Sequence, residues 1–149
     1  MRVDFLGHAC VTLTAQSGQQ LLIDPFEPGG FGGRMRYPPI EASPDYVATT
    51  HDHADHAAID AVPGDPEELS GARDVRAGPF RIRRFEFDHD EYDGRRFGGS
   101  VDVLLVDDES AVGTDRLCRV RSDLAVTLGT RRAVVGRFVL VEAALVDGI

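Results

Sequence analysis

Residues 48–57 read ATTHDHADHA, so three of the chain's five histidines and two aspartates fall within the six positions from His51 to His56. The word follows directly on DYVATT, which reads as a short strand, and that is the context a metal site requires. His51 and His53 stand two residues apart on an extended segment. They project to the same side and can grip one ion through imidazole nitrogens. Asp55 and His56 come where the chain turns toward a helix, and they can face the same cavity from another angle, as the ligands of a second ion in a two-metal site do. Asp52 and Ala54 then point away. The bland alternative is a His-rich surface tract, which would not need a strand in front of it.

The segments around this word read as mixed structure. VDFLG, ACVTLTA and LLIDP carry the β-branched and aromatic residues of strands, with a turn at Gly18 and a stop at Pro25, and they predict a meander at one edge of a sheet. Residues 26–44 are dense in Gly and Pro and predict a long irregular segment, of the kind often used as a lid or binding loop. DHAAIDAV, 55–62, predicts one or two helical turns ending before Pro63. GPFRIRRFEFDHD alternates apolar and basic residues, with a break of register expected at the Arg83–Arg84 pair. SVDVLLVDD is an apolar run of strand length. Past Gly113 the pattern loosens: DRLCRV reads as a strand, and 131–149 fits strand or helix.

Composition narrows the classes. A chain of 149 residues predicts one domain, 1–149, with a hydrophobic core of its own. The formal charge of −9, with Arg as the sole source of its 16 basic residues, argues against nucleic acid as a partner. No apolar run approaches the roughly 18 residues that cross a bilayer, so no membrane is expected. MRVDFLGHAC lacks the apolar block of a secretory signal, and a cytoplasmic location is expected. Cys10 and Cys118 form no motif and read as buried small hydrophobes.

THDHADH resembles the H-x-H-x-D-H signature of the metallo-β-lactamase superfamily. LGHACVTLTAQSGQQLLIDPF resembles the opening of one branch, the one with L-ascorbate 6-phosphate lactonase-like and N-acyl phosphatidylethanolamine phospholipase D-like hydrolases. The likeness is clear over 2–107 and weak over 108–149. It implies an α+β fold, the αββα sandwich, represented mainly by its N-terminal half. It also implies His51, His53 and His89 as ligands of a first ion, with His89 read from FDHDEYDGRRFGGSVDVLLV. Asp55 and His56 become ligands of a second ion, and Asp55 doubles as the catalytic carboxylate beside the attacking water. His8 and Asp24 take places at strand ends near the site, either hydrogen-bonding the ligands or serving structure alone.

After residue 107 the chain departs from that pattern. The family's His-Leu-Gly-Asp element has its nearest counterpart in LCRVRSDLAVTL. Asp123 is the candidate for the bridging carboxylate, but Arg119 or Arg121 stands where a His belongs, and a cation there opposes a divalent ion. No histidine follows His89. The resemblance therefore implies a metal-dependent hydrolase acting on a phosphoester, lactone or related bond of a small molecule. It would use one or two Zn2+ ions, with Mn2+ or Fe2+ as alternatives. The competing expectation is a catalytically impaired, shortened metal-binding remnant or interaction module. A half-sandwich also predicts an apolar sheet face left open, which a homo-oligomer would cover.

Overall fold

The computed structural model describes residues 1–89, 92, 93, 95 and 99–110, and beyond them the backbone of 119–120, 134–135 and 138–141. Cys118, Arg121 and Asp123 lie outside the described residues. Two sheets stack face to face. The first has the order β5-β4-β3-β2-β1-β9, from β1 (Arg2–Gly7), β2 (Cys10–Thr14), β3 (Gln20–Ile23), β4 (Tyr46–Ala48), β5 (Glu67–Glu68) and β9 (Arg119–Val120). The second has the order β10-β11-β8-β7-β6, from β6 (Asp74–Ala77), β7 (Phe80–Asp88), β8 (Ser100–Asp108), β10 (Val134–Val135) and β11 (Phe138–Val141).

The meander read from the N-terminus forms β1, β2 and β3, antiparallel in sequence. It lies inside the first sheet: β3 is flanked by parallel β4, and β1 by parallel β9. Two reversals return β3 to the direction of β1, so β1, β3 and β4 end at one edge. That edge carries the histidine word.

Alternation at period 2 decides what each face buries. Val3, Leu13, Leu21 and Ile23 meet Phe80, Ile82, Leu104 and Val106 between the sheets. Cys10, Leu22 and Val47, from the opposite face of the first sheet, pack under Phe26, Met35, Ile40 and Val62. The long Gly- and Pro-rich segment is therefore a cover and not a lid. Its few apolar side chains do the work that a helical layer would otherwise do. Tyr37 from the same segment presses on Gly7, where a Cβ would lie 2.6 Å from the Tyr37 ring and φ is 140°. Only glycine meets both demands.

Two other expectations are corrected. Residues 55–62 hold only a single 3-10 turn, Ile59–Ala61. The amides of His56 and Ala57 both bond to the His53 carbonyl, and Ala58 N–H reaches across to Pro25 O, so the ladder of an α-helix never starts. Among the described residues no helix is long and apolar enough to cross a membrane.

The second correction concerns β7, which pairs with β8 in unbroken register from Phe80↔Asp108 to Asp88↔Ser100. There is no break at the arginine pair. Phe80, Ile82 and Arg84 face inward in turn, while Phe85 and Phe87 stand 45% and 56% exposed. A buried arginine is tolerable here because both of its Nη groups are hydrogen-bonded, although Nε has no partner. Nη1 donates to Thr49 O at 2.7 Å and to Asp102 Oδ2 at 3.1 Å, and Nη2 donates to Leu69 O at 2.6 Å. Arg84 thus ties the second sheet to the ends of β4 and β5 in the first.

Arg84→Met should cost about 3–5 kcal/mol, because it leaves a charged Asp102 and two strand-end carbonyls without their partner. Arg81→Ala, which removes an exposed pair with Asp74, should leave the urea midpoint unmoved. Cys10 is fully buried, and burial first and Asp24 second push its thiol far up. Peptide mapping after iodoacetamide treatment should find Cys10 unmodified unless the chain is unfolded.

Candidate metal centre

Four strand ends build the site. The turn between β1 and β2 carries His8, the residue after β3 is Asp24, the segment after β4 carries Thr50 to His56, and β7 runs out into His89. His8 and Asp24 both adopt left-handed backbone, at φ 52° and 54°. Such backbone is uncommon for residues other than glycine, and here it swings both side chains back over the sheet edge.

Around His51 three imidazoles converge. His51 Nε2 lies 3.1 Å from His53 Nδ1 and 3.1 Å from His89 Nε2, although 36 positions separate His53 from His89. Ligand nitrogens about 2.0–2.1 Å from one tetrahedral centre stand about 3.3–3.4 Å apart. Asp52 and Ala54 are exposed.

The far side of His51 is held by a relay. Its Nδ1 is 2.9 Å from Thr50 Oγ1, and that hydroxyl is 2.9 Å from Asp24 Oδ2. Asp24 is fully buried and also accepts the Thr50 amide at 2.7 Å. A carboxylate only accepts, so the Thr50 hydroxyl donates to it and His51 Nδ1–H donates to the hydroxyl. The lone pair of His51 is then on Nε2, facing the other two rings. Burial, and after it the neighbouring His56, His53 and His89, push the His51 imidazole down to about 3. It is neutral at neutral pH, which is the form a metal needs. Thr50 gave no signal in the sequence, because Thr49 and Thr50 look alike there and only the register of β4 decides which one meets Asp24.

A second group lies against the first. His8 Nε2 is 3.0 Å from Asp55 Oδ2, His56 Nε2 is 3.5 Å from the same oxygen, and His56 Nδ1 is 3.2 Å from Asp24 Oδ2. The His51 and His56 ring centroids are 4.3 Å apart. Burial works to raise the Asp55 carboxyl, but the His8 hydrogen bond and then the neighbouring His56 outweigh it and hold the group at about 2. The structure brings together five of the six expected ligands in these two groups; the sixth, Asp123, lies outside the described residues. Beside His51 opens a cavity of about 410 Å³ walled by Arg73, Arg84, Glu86, Ser100 and Asp102.

Comparison with known proteins gives the chain's family and fold. The Beta-lactamase superfamily domain model matches residues 2–111. The chain is 48% identical over 61 residues to a UPF0173 metal-dependent hydrolase of Methanospirillum hungatei, covering 41% of this chain and 23% of that protein. It is 30% identical over 107 residues to its namesake in Ligilactobacillus salivarius, covering 68% and 43%. The chain thus spans less than half the length of these curated relatives. Among solved structures, the isothiocyanate hydrolase from Delia radicum gut bacteria superposes with a TM-score of 0.51 at 19% identity, over 70% of this chain and 56% of that one, and so shares the fold.

The crowding of His51 has a consequence for pH. Its imidazole titrates near 3 when folded and near 6.5 when free, so between those values the unfolded chain binds more protons. The stability tied to His51 is complete above about 6.5 and is lost as pH falls toward about 3. Metal-free protein should therefore melt at progressively lower temperature from pH 7 to pH 4, and His51→Gln should flatten that slope. An unchanged slope in the variant would remove His51 as its cause.

Proposed function

The chain belongs to the beta-lactamase superfamily, and from that membership we propose that it is a metal-dependent hydrolase whose ion is held by His51, His53 and His89. The observation that carries the proposal is the convergence of three imidazole nitrogens from two different sheets, the central one fixed as a neutral tautomer by Thr50 and Asp24. The donor set fits the ion. Three imidazoles with a fourth position left for water make a catalytic zinc centre, and Mn2+ or Fe2+ accept the same ligands.

A divalent ion bound there supplies Lewis acidity, lowering the pKa of a water toward about 7 and polarising the oxygen of the scissile bond. The chain's own residues do the rest. Asp24 and Thr50 hold His51 in place. Asp55 keeps its charge at neutral pH and is pinned by His8, so its exposed edge can accept a hydrogen bond from the attacking water. A carboxylate held at about 2 is a weak base, and its contribution is to orient that water more than to store its proton. The cavity beside His51 suits a small polar substrate, its wall polar, with Glu86 held by the Ser100 hydroxyl and by Arg73. The bond cleaved would be a phosphoester, a lactone or a related one.

His53→Ala should weaken zinc binding by more than about 100-fold, since loss of partners one shell further out already costs about 10–100-fold. The same variant should abolish turnover of bis-p-nitrophenyl phosphate. Asp123→Ala should leave the zinc content found by elemental analysis unchanged; loss of an equivalent would put that residue in the site. Zinc bound through His53 with no turnover of phosphodiester or lactone probes would leave a metal-binding module in place of an enzyme.

A further inference from the structure

We propose that Arg84 is a positioning residue of the metal centre: it fixes the two sheets against each other at the site edge and so sets the distance from His89 to His51. The inference rests on the three-imidazole reading for what that distance is used for, and on the fold alone for the device itself.

The ligands come from different sheets. His51 and His53 follow β4 in the first, His89 follows β7 in the second, and the nearest nitrogens of His51 and His89 are 3.1 Å apart. The apolar core holds the sheets together, but hydrophobic contact is non-directional. It sets the spacing of the sheets better than it resists sliding of one over the other. A metal constellation needs its ligands held within about 0.5 Å, and only directional bonds near the edge can supply that.

The inward face of β7 changes character on its way to the edge. Phe80 and Ile82 are fully buried, Arg84 follows on the same face, and His89 lies five residues further on. Arg84 Nη1 donates to Thr49 O at 2.7 Å and to Asp102 Oδ2 at 3.1 Å, and Nη2 donates to Leu69 O at 2.6 Å. Asp102 N–H, on the paired strand, donates to Thr50 O at 2.9 Å. The carbonyls of residues 49 and 50 are thus both held by the second sheet, while Asp24 in the first holds the Thr50 amide and hydroxyl. His51 is the next residue. From this grip β7 runs on in unbroken register with β8 to Asp88↔Ser100, and His89 N–H closes on Gly99 O at 3.2 Å. One strand pair therefore holds the root of His51 and delivers His89, with the guanidinium as the joint.

Lysine could carry the charge but not the joint. A guanidinium presents its donors in a rigid planar fork, which holds three acceptors on three segments in one geometry, whereas an ammonium is a point charge on a flexible stem.

The test compares wild type with Arg84→Lys, and with Arg81→Ala as a control on the outer face of the same strand. In the metal-free chain, the ring protons of His51 and His89 should give a nuclear Overhauser contact, since their centroids are 4.7 Å apart, and Arg84→Lys should lose it. Zn2+ affinity, read against a chromophoric chelator well below each melting temperature, should fall about 10–100-fold in Arg84→Lys. The Co2+ ligand-field spectrum should shift with it, and Arg81→Ala should match wild type throughout. A residue that only stabilises the fold would lower the melting temperature and move none of these. Asp102→Asn weakens the hold on Arg84 and keeps the backbone bond to Thr50; it should move the same readouts the same way, and serves if the lysine variant does not fold. Zinc affinity unmoved in Arg84→Lys while His89→Ala lowers it would overturn the positioning role and spare the metal centre. Zinc affinity indifferent to His89→Ala would overturn the metal centre, and the ring contact alone would then decide for or against Arg84.

Discussion

The candidate site depends on one buried carboxylate. Asp24 holds the Thr50 amide and hydroxyl on one oxygen each and faces His56 with the second, so both imidazole groups hang from it. Removing such a group from water is costly unless its lone pairs are filled, and here two short donors fill them. The return is orientation. A strand end that would otherwise fray is locked at Thr50, one residue ahead of His51, and the lock passes through a hydroxyl to the tautomer of the ligand itself. Left-handed backbone at Asp24 is the local strain that brings the carboxylate to this place.

Orientation within one sheet does not suffice, because His89 arrives from the other. Arg84 supplies the second constraint, five residues ahead of His89 on β7, with donors on Thr49 and Leu69. The Asp102 amide adds a bond to Thr50 O from β8. These bonds cross the gap between sheets immediately behind the histidine word. A shift of the sheets by an ångström would open the gap between His51 and His89, so the polar cross-links near the edge hold the site together where the apolar core gives way to solvent.

Much of this was legible in the residues. The spacing of His51, His53, Asp55 and His56 needs only an extended segment, and the β-branched runs around it needed only to be strands. Resemblance to a known family located His89 and the sandwich, which spacing could not, since a lone histidine among acids carries no address. What stayed hidden depends on tertiary contact. The role of Arg84 is invisible in FRIRRF, where an inward arginine looks like a break in the pattern until carbonyls from another sheet are there to receive it. The 26–44 segment reads as a loop and is one, but only the exposed apolar back of β3 and β4 turns its Phe26, Met35 and Ile40 into a cover. The helical turns read over 55–62 come down to the single 3-10 turn at 59–61, because Ala58 N–H bonds to Pro25 O instead of continuing a helix.

The same crowding that makes the edge a site makes it unfavourable when bare. Six imidazole and carboxylate groups packed within a few ångströms keep their lone pairs turned toward one another, and the hydration they have given up is only partly replaced by Thr50 and Asp24. An ion that binds the folded chain and not the unfolded one recovers that cost and stabilises the fold by an amount that grows with its concentration over the dissociation constant. His51 and His56 meet at ring centroids 4.3 Å apart, so the two rings protonated together would repel one another. The residues that carry this coupling of binding to folding run from His8 to His89, all inside the stretch that matches the family.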